Sequence, residues 1–150
     1  RQQLTDNAFT DITGSSVSYV PPTGTTQVIY TFQFRGSSDG GSSDGITSCN
    51  LLIDGTEATD ARFTERYGQN YYDKLITFTW GINIGGSTTA ATGRLASWTS
   101  AKTLKMQGNE HGSGNQTQLH YVQNYGGNAV SGSPFVVKPC VGITAIGVPS

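Results

Sequence analysis

Alternation of apolar and polar side chains dominates this chain. In "QVIYTFQFR", Val28, Tyr30, Phe32 and Phe34 share one face, with Ile29, Thr31, Gln33 and Arg35 on the other. That period of two marks a half-buried strand. "LITFTWGINIG" repeats it: Ile76, Phe78, Trp80, Ile82 and Ile84 oppose Leu75, Thr77, Thr79, Gly81 and Asn83. Leu104 and Met106 alternate with Lys105 and Gln107. In "TQLHYVQNY", Leu119, Tyr121 and Gln123 oppose His120 and Val122, and in "VGITAIG", Val141, Ile143 and Ala145 oppose Thr144 and Ile146. "SVSYV", "ITSCNLLID" and "GRLASW" are further strand candidates. No eleven-residue stretch carries an uninterrupted helical pattern.

Turn clusters separate these runs, at 21–26, 37–45, 53–57, 84–89 and 110–116. Asp54-Gly55 has the chemistry of a two-residue hairpin turn. Eight or nine short strands without crossover helices predict an all-β fold, an antiparallel β-sandwich with a jelly-roll-like form, rather than βαβ units. At 150 residues the chain makes a single domain. Arg1 at the start and the polar "RQQLTDNAFT" predict that residues 1–10 connect to a longer protein, with the head over 11–150.

Composition sharpens the picture of the surface. Only 13% of residues are charged, against about 25% in a typical domain, and Gly, Ser and Thr make up more than a third of the chain. The net charge of −1 predicts no nucleic-acid partner, because phosphate neutralisation needs a basic stripe. No apolar run approaches the length of a membrane-crossing helix, so no membrane insertion is predicted. The polar strand faces carry Thr, Ser, Gln, Gly and Asn, yet still include Ile29, Leu75, Val122 and Ile146. Either both faces of some strands are covered within one sandwich, or a second surface docks against other copies, as in a homotrimer.

Catalytic chemistry finds no constellation. The ten acidic residues fall mostly in turns, and no spacing selects a carboxylate pair. His111 and His120 sit nine residues apart, on opposite faces of an extended strand; a loop at "GSGN" leaves a metal pair open, and a loop histidine with a strand histidine is the plainer reading. No nucleophile elbow, HExxH helix or phosphate loop occurs. No enzyme and no cofactor are expected. Cys49 and Cys140 read as two buried thiols, with a disulfide open if their strands face each other. In "SSDGGSSDG", Asp39 and Asp44 offer two oxygen ligands for calcium but lack EF-hand spacing, and a flexible Gly/Ser loop is the plainer reading.

Binding asks for less. The segment 62–74, "RFTERYGQNYYDK", gathers Tyr67, Asn70, Tyr71, Tyr72 and Asp73, and "GNEHGSGNQT" adds Asn109, His111 and Asn115. Tyrosines with amide and carboxylate neighbours on loops suit glycan or protein recognition, although tyrosines packed over a sheet end give the same pattern. Asn115-Gln116-Thr117 is a formal glycosylation sequon. "YGGNAVSGSP", at 125–134, offers a further patch for a partner.

The ordered segments "DITGSSVSYVPPTGTTQVIYTFQF", "LLIDGTEATDARFTERYG", "ATGRLASWTSAKTLKMQG", "QLHYVQNYGG" and "ITAIG" resemble a family of viral fibre or spike head domains. These are C-terminal domains of tail fibres in marine tailed phages, with similar virion-surface modules in large algal viruses. The resemblance spans about residues 10–147 and implies a β-sandwich head on a commonly trimeric fibre at the virion surface. It implies adhesion to a host-surface glycan or protein, and no catalytic residue. Cys49, Cys140 and the "SSDGGSSDG" insertion depart from the pattern. The rival expectation is a structural capsid-decorating or fibre-assembly protein whose partners are other virion proteins.

Overall fold

The computed structural model describes residues 1–6, 8–38, 44–68, 73–112, 117–122, 135–136 and 138–147. Among them are twelve strands and no helix: β1 (Gln2–Gln3), β2 (Thr10–Asp11), β3 (Val17–Tyr19), β4 (Thr25–Ser38), β5 (Gly45–Ile53), β6 (Thr56–Gly68), β7 (Asp73–Asn83), β8 (Lys102–Glu110), β9 (Thr117–Leu119), β10 (Tyr121–Val122), β11 (Phe135–Val136) and β12 (Cys140–Gly147). The count exceeds the eight or nine expected because six of them are only two or three residues long.

The long strands form two antiparallel sheets. In sheet A, β4 is central, with β7 along one side; β12 and then β9 share the other side, and β1 lies beyond β9. In sheet B the order is β6-β5-β8, and β2 and β3 share the far side of β8. A small β10-β11 pair stands apart.

The alternation read from the sequence is the alternation of burial. Val28, Tyr30, Phe32 and Phe34 of β4 lie in one core with Ile76, Phe78 and Ile82 of β7. Cys49, Leu51 and Ile53 of β5, and Leu104 and Met106 of β8, meet them from sheet B. Full burial of each large apolar side chain favours this sandwich-like packing by about 1.5–3 kcal/mol. The predicted turn at Asp54-Gly55 is present: both residues have positive φ, 52° and 83°, and Ile53 pairs with Thr56 across a two-residue loop. A mirror-image turn of that kind needs positive φ at both positions.

Three expectations are corrected. Within the 62–74 segment, 62–68 belongs to β6 and Asp73 and Lys74 to β7, so its described residues are strand rather than loop. "GRLASW" makes only isolated bridges, Thr89 with Arg94 and Ile84 with Leu95. The cysteines also differ from each other: both are free, Cys49 buried and Cys140 exposed. Cys49 faces the core, and burial pushes its thiol up to about 12. Cys140 pairs with Gln33 at the start of β12, on the outer side of sheet A, so the two thiols have no common face.

Candidate functional site

The register of β12, β4 and β7 builds a grid on the outer face of sheet A. Its rows are Ile146-Gln27-Asn83, Thr144-Ile29-Gly81, Gly142-Thr31-Thr79 and Cys140-Gln33-Thr77, followed by Arg35-Leu75. The four complete rows contain no charged side chain. Neighbours across strands are tied by neutral bonds: Gln27 Nε2 donates to Asn83 Oδ1 at 3.0 Å, and Gln33 Nε2 donates to Thr77 Oγ1 at 3.1 Å. The Thr31 and Thr79 hydroxyls lie 3.5 Å apart. The charges wait at one end, where Arg35 Nη1 meets Asp73 Oδ2 at 2.6 Å. Of the apolar residues singled out on polar faces, Ile29, Leu75 and Ile146 share this surface, with Leu75 49% and Ile146 45% exposed. The side chain of Val122 lies outside the described residues.

The outer face of sheet B is built differently. Lys105 Nζ reaches Asp11 Oδ2 at 2.7 Å, and Gln107 Nε2 donates to Asp11 Oδ1 at 2.8 Å. The Asp11 carboxyl is held below its usual range by those two bonds. Arg62 grips Glu57 with two bonds, at 2.6 and 2.8 Å, which lowers the Glu57 carboxyl in the same way. Lys102 pairs with Asp54 at the hairpin turn, and Arg66 with Asp44.

The loop residues proposed for recognition have mixed fates. The register brings Ser37 opposite Asp73, Ser38 opposite Thr117, Gly45 opposite Gly68 and Thr47 opposite Glu110. The strand ends carrying the 39–43, 69–72 and 113–116 connections therefore meet at one end of the sandwich. Asp39, Asn70, Tyr71, Tyr72 and Asn115 lie outside the described residues, as do the whole 125–134 patch and Gln116. Asp73 is ion-paired to Arg35, and Asp44 to Arg66. His111 is exposed, and its backbone N–H donates to Ile46 O at 3.1 Å. Asn109 belongs to β8, half-buried opposite Ser48 on the outer face of sheet B, rather than to a loop.

Tyr67 is the clear correction among the site residues. It points into the sandwich and is 5% exposed, so no macromolecule reaches it. Its ring fills the space over Gly36: a Cβ there would come within 2.3 Å of the ring, and one on Gly45 within 3.1 Å. Burial pushes the Tyr67 hydroxyl up, as expected where charge cannot be solvated.

The same end holds polar groups that the sequence pattern did not expose. Thr117, Gln118 and His120 are buried although alternation placed His120 outside. β1 covers β9 from the flank, and His120 has a left-handed φ of 60° that breaks the strand. Its ring stands edge-on to Phe34, and burial pulls its imidazole down to about 4. Among the described residues no group of three His, Cys, Asp or Glu is placed to hold a metal ion. Of the grid residues, Asn83 and Thr144 were already on the outward parity of their strands, while Gln27 and Gly142 join them once β12 and β4 are aligned. Comparison with family models, curated proteins and solved structures finds no match to this chain.

Proposed function

We propose that this chain is the jelly-roll-like head of a virion-surface fibre or spike. It assembles with two further copies through the outer face of sheet A and adheres to a host-surface glycan or protein without breaking bonds. The observation that carries the reading is the uncharged grid. A face exposed to water in a monomer usually carries charge. A face that docks on protein avoids it, because an unpaired charge there loses its hydration without recompense. Neutral amides and hydroxyls already bonded to each other cost little to cover. Among the described residues Asp11, Asp44, Asp54, Glu57, Glu65 and Asp73 are each engaged with a cation, which suits a binding module. Three heads on one stalk multiply weak contacts into firm attachment.

Native mass and thiol labelling test the assembly. The expected mass is three times the 15.9 kDa of one chain. Cys140, exposed on the grid of one chain, is expected to be shielded from a maleimide in the assembled protein and to react once it dissociates, while Cys49 stays silent until unfolding. A single-chain mass with fast Cys140 labelling defeats the self-docking reading. For adhesion, retention on a printed glycan panel is compared between wild type, Tyr71→Ala and Tyr72→Ala. Equal retention removes the tyrosines from the site, and no retention by wild type removes glycan adhesion.

A further inference from the structure

The two sheets are not closed along one flank. β6 pairs only with β5 and β7 only with β4, so among the described residues the free edges of β6 and β7 face each other. Between them lies a cleft of about 360 Å³, within the lower range of small-molecule sites, at about 300–1,000 Å³. Phe63 of β6 and Phe78 of β7 stack in it, centroids 5.4 Å apart and planes 16° apart. Trp80 is half-buried beside them, and its indole N–H is already donated to Thr92 O at 3.0 Å. The ring therefore offers the cleft carbon surface only.

The polar groups sit around this apolar floor. Glu65 and Lys74 form an ion pair across one end of the gap. Asp60 lies exposed towards the other, and its carboxylate has no ion pair among the described residues. Between the Cys49–Phe63 and Leu51–Ala58 pairs, β6 bulges through residues 59–62, which have no partners on β5 there. A small cleft with an aromatic floor and one free carboxylate is complementary to a ring that is apolar on its face and hydroxylated at its edge. An extended peptide would need the strand edges clear along their length, and the Glu65–Lys74 pair lies across them. Arg62 also lines the cleft but is committed to Glu57 by two bonds, so an anionic ligand would meet the uncompensated Asp60 charge.

From this geometry we infer that the β6–β7 cleft binds a neutral saccharide, with the sugar face on Trp80 and Phe63 and hydroxyls donated to Asp60. The inference rests on the proposed glycan adhesion and gives it a location away from the loop end. The cleft opens at the flank, where Thr77 and Thr79 of the grid also line it, so self-docking and ligand entry meet along β7.

The test is proton–nitrogen NMR of the assembled protein titrated with cellobiose, lactose and N,N′-diacetylchitobiose. Trp80 and Trp98 give the two indole signals, and Trp98 is an internal control because it is buried with its N–H on Tyr19 O. The expected result is a saturable shift of the Trp80 signal with at least one disaccharide and none of Trp98. Asp60→Asn, an exposed and conservative change that preserves the fold, is expected to weaken binding about tenfold, and Trp80→Ala at least as much. An unmoved Trp80 signal with all three sugars, or wild-type affinity in Asp60→Asn and Trp80→Ala, overturns the inference. A Trp80 shift with a strand-forming peptide and none with sugars also overturns it, in favour of a peptide edge site. Failure here with glycans still retained on the printed panel leaves glycan adhesion standing; loss of both removes glycan adhesion.

Discussion

The outer faces of sheets A and B rest on one core, yet they present different chemistry. Sheet B is covered with Lys105–Asp11, Arg62–Glu57 and Arg66–Asp44 pairs. Sheet A shows four rows of Thr, Gln, Asn, Gly, Ile and Cys140 with no charge among them. Exposed pairs contribute little to stability, about 0–1 kcal/mol each, so sheet B's charges are not there to hold the fold together. The lesson is that a fold built from one alternating pattern can give its two exteriors different chemistry through the choice of polar residue alone.

The largest expected effect comes from placing the same charge on each face. Thr79→Lys, in the middle of the grid, is expected to weaken assembly by about 100-fold or more, because the ammonium would be buried without a partner. Thr103→Lys, exposed on the outer face of sheet B, is expected to leave the native mass unchanged. Light scattering at matched concentrations checks both, and equal behaviour of the two variants erases the distinction between the faces.

Next in size is a change beneath both faces. Gly36→Ala forces a methyl into the Tyr67 ring and is expected to lower unfolding free energy by about 1–3 kcal/mol in chemical denaturation, whether or not chains are assembled. Wild-type stability would mean that Tyr67 moves aside.

The smallest effect belongs to sheet B. The Asp11 carboxyl is lowered in the folded chain, so its contribution is present above its ordinary value of 3.8 and is lost as pH falls through the lower folded value. Asp11→Asn is therefore expected to cost under about 1 kcal/mol at neutral pH and nothing in strong acid, measured as denaturation midpoints across pH. A cost that persists in acid would assign the effect to packing instead of charge.

The sequence was most legible where one face is buried and the other wet. β4 as far as Arg35 and β7 alternate clearly, β8 more weakly, and Asp54-Gly55 names its own turn. It was least legible where both faces are covered or where small residues do the packing. β6 buries Ala58 and Ala61, which carry little apolar signal, and its charged positions made 62–68 resemble a loop. Tyr67 belongs to the core only because Gly36 and Gly45 leave it a slot, a fact about two other strands. Cys140 sits in an apolar run but falls on the outward parity of β12, and that parity shows only once Val141 is aligned with Phe32. The β6–β7 cleft depends on which strands end up at the flank, and strand order is not written in local periodicity.

The grid is assembled from strands made far apart in time. β4 is synthesised early, β7 near the middle and β12 last, and one column of the surface, from Cys140 to Ile146, exists only after β12 has been laid against β4. A growing chain on the ribosome thus lacks a third of the grid until β12 is in place. Under the proposed self-docking, partner choice would be deferred to that point, sparing nascent neighbours on one message premature entanglement.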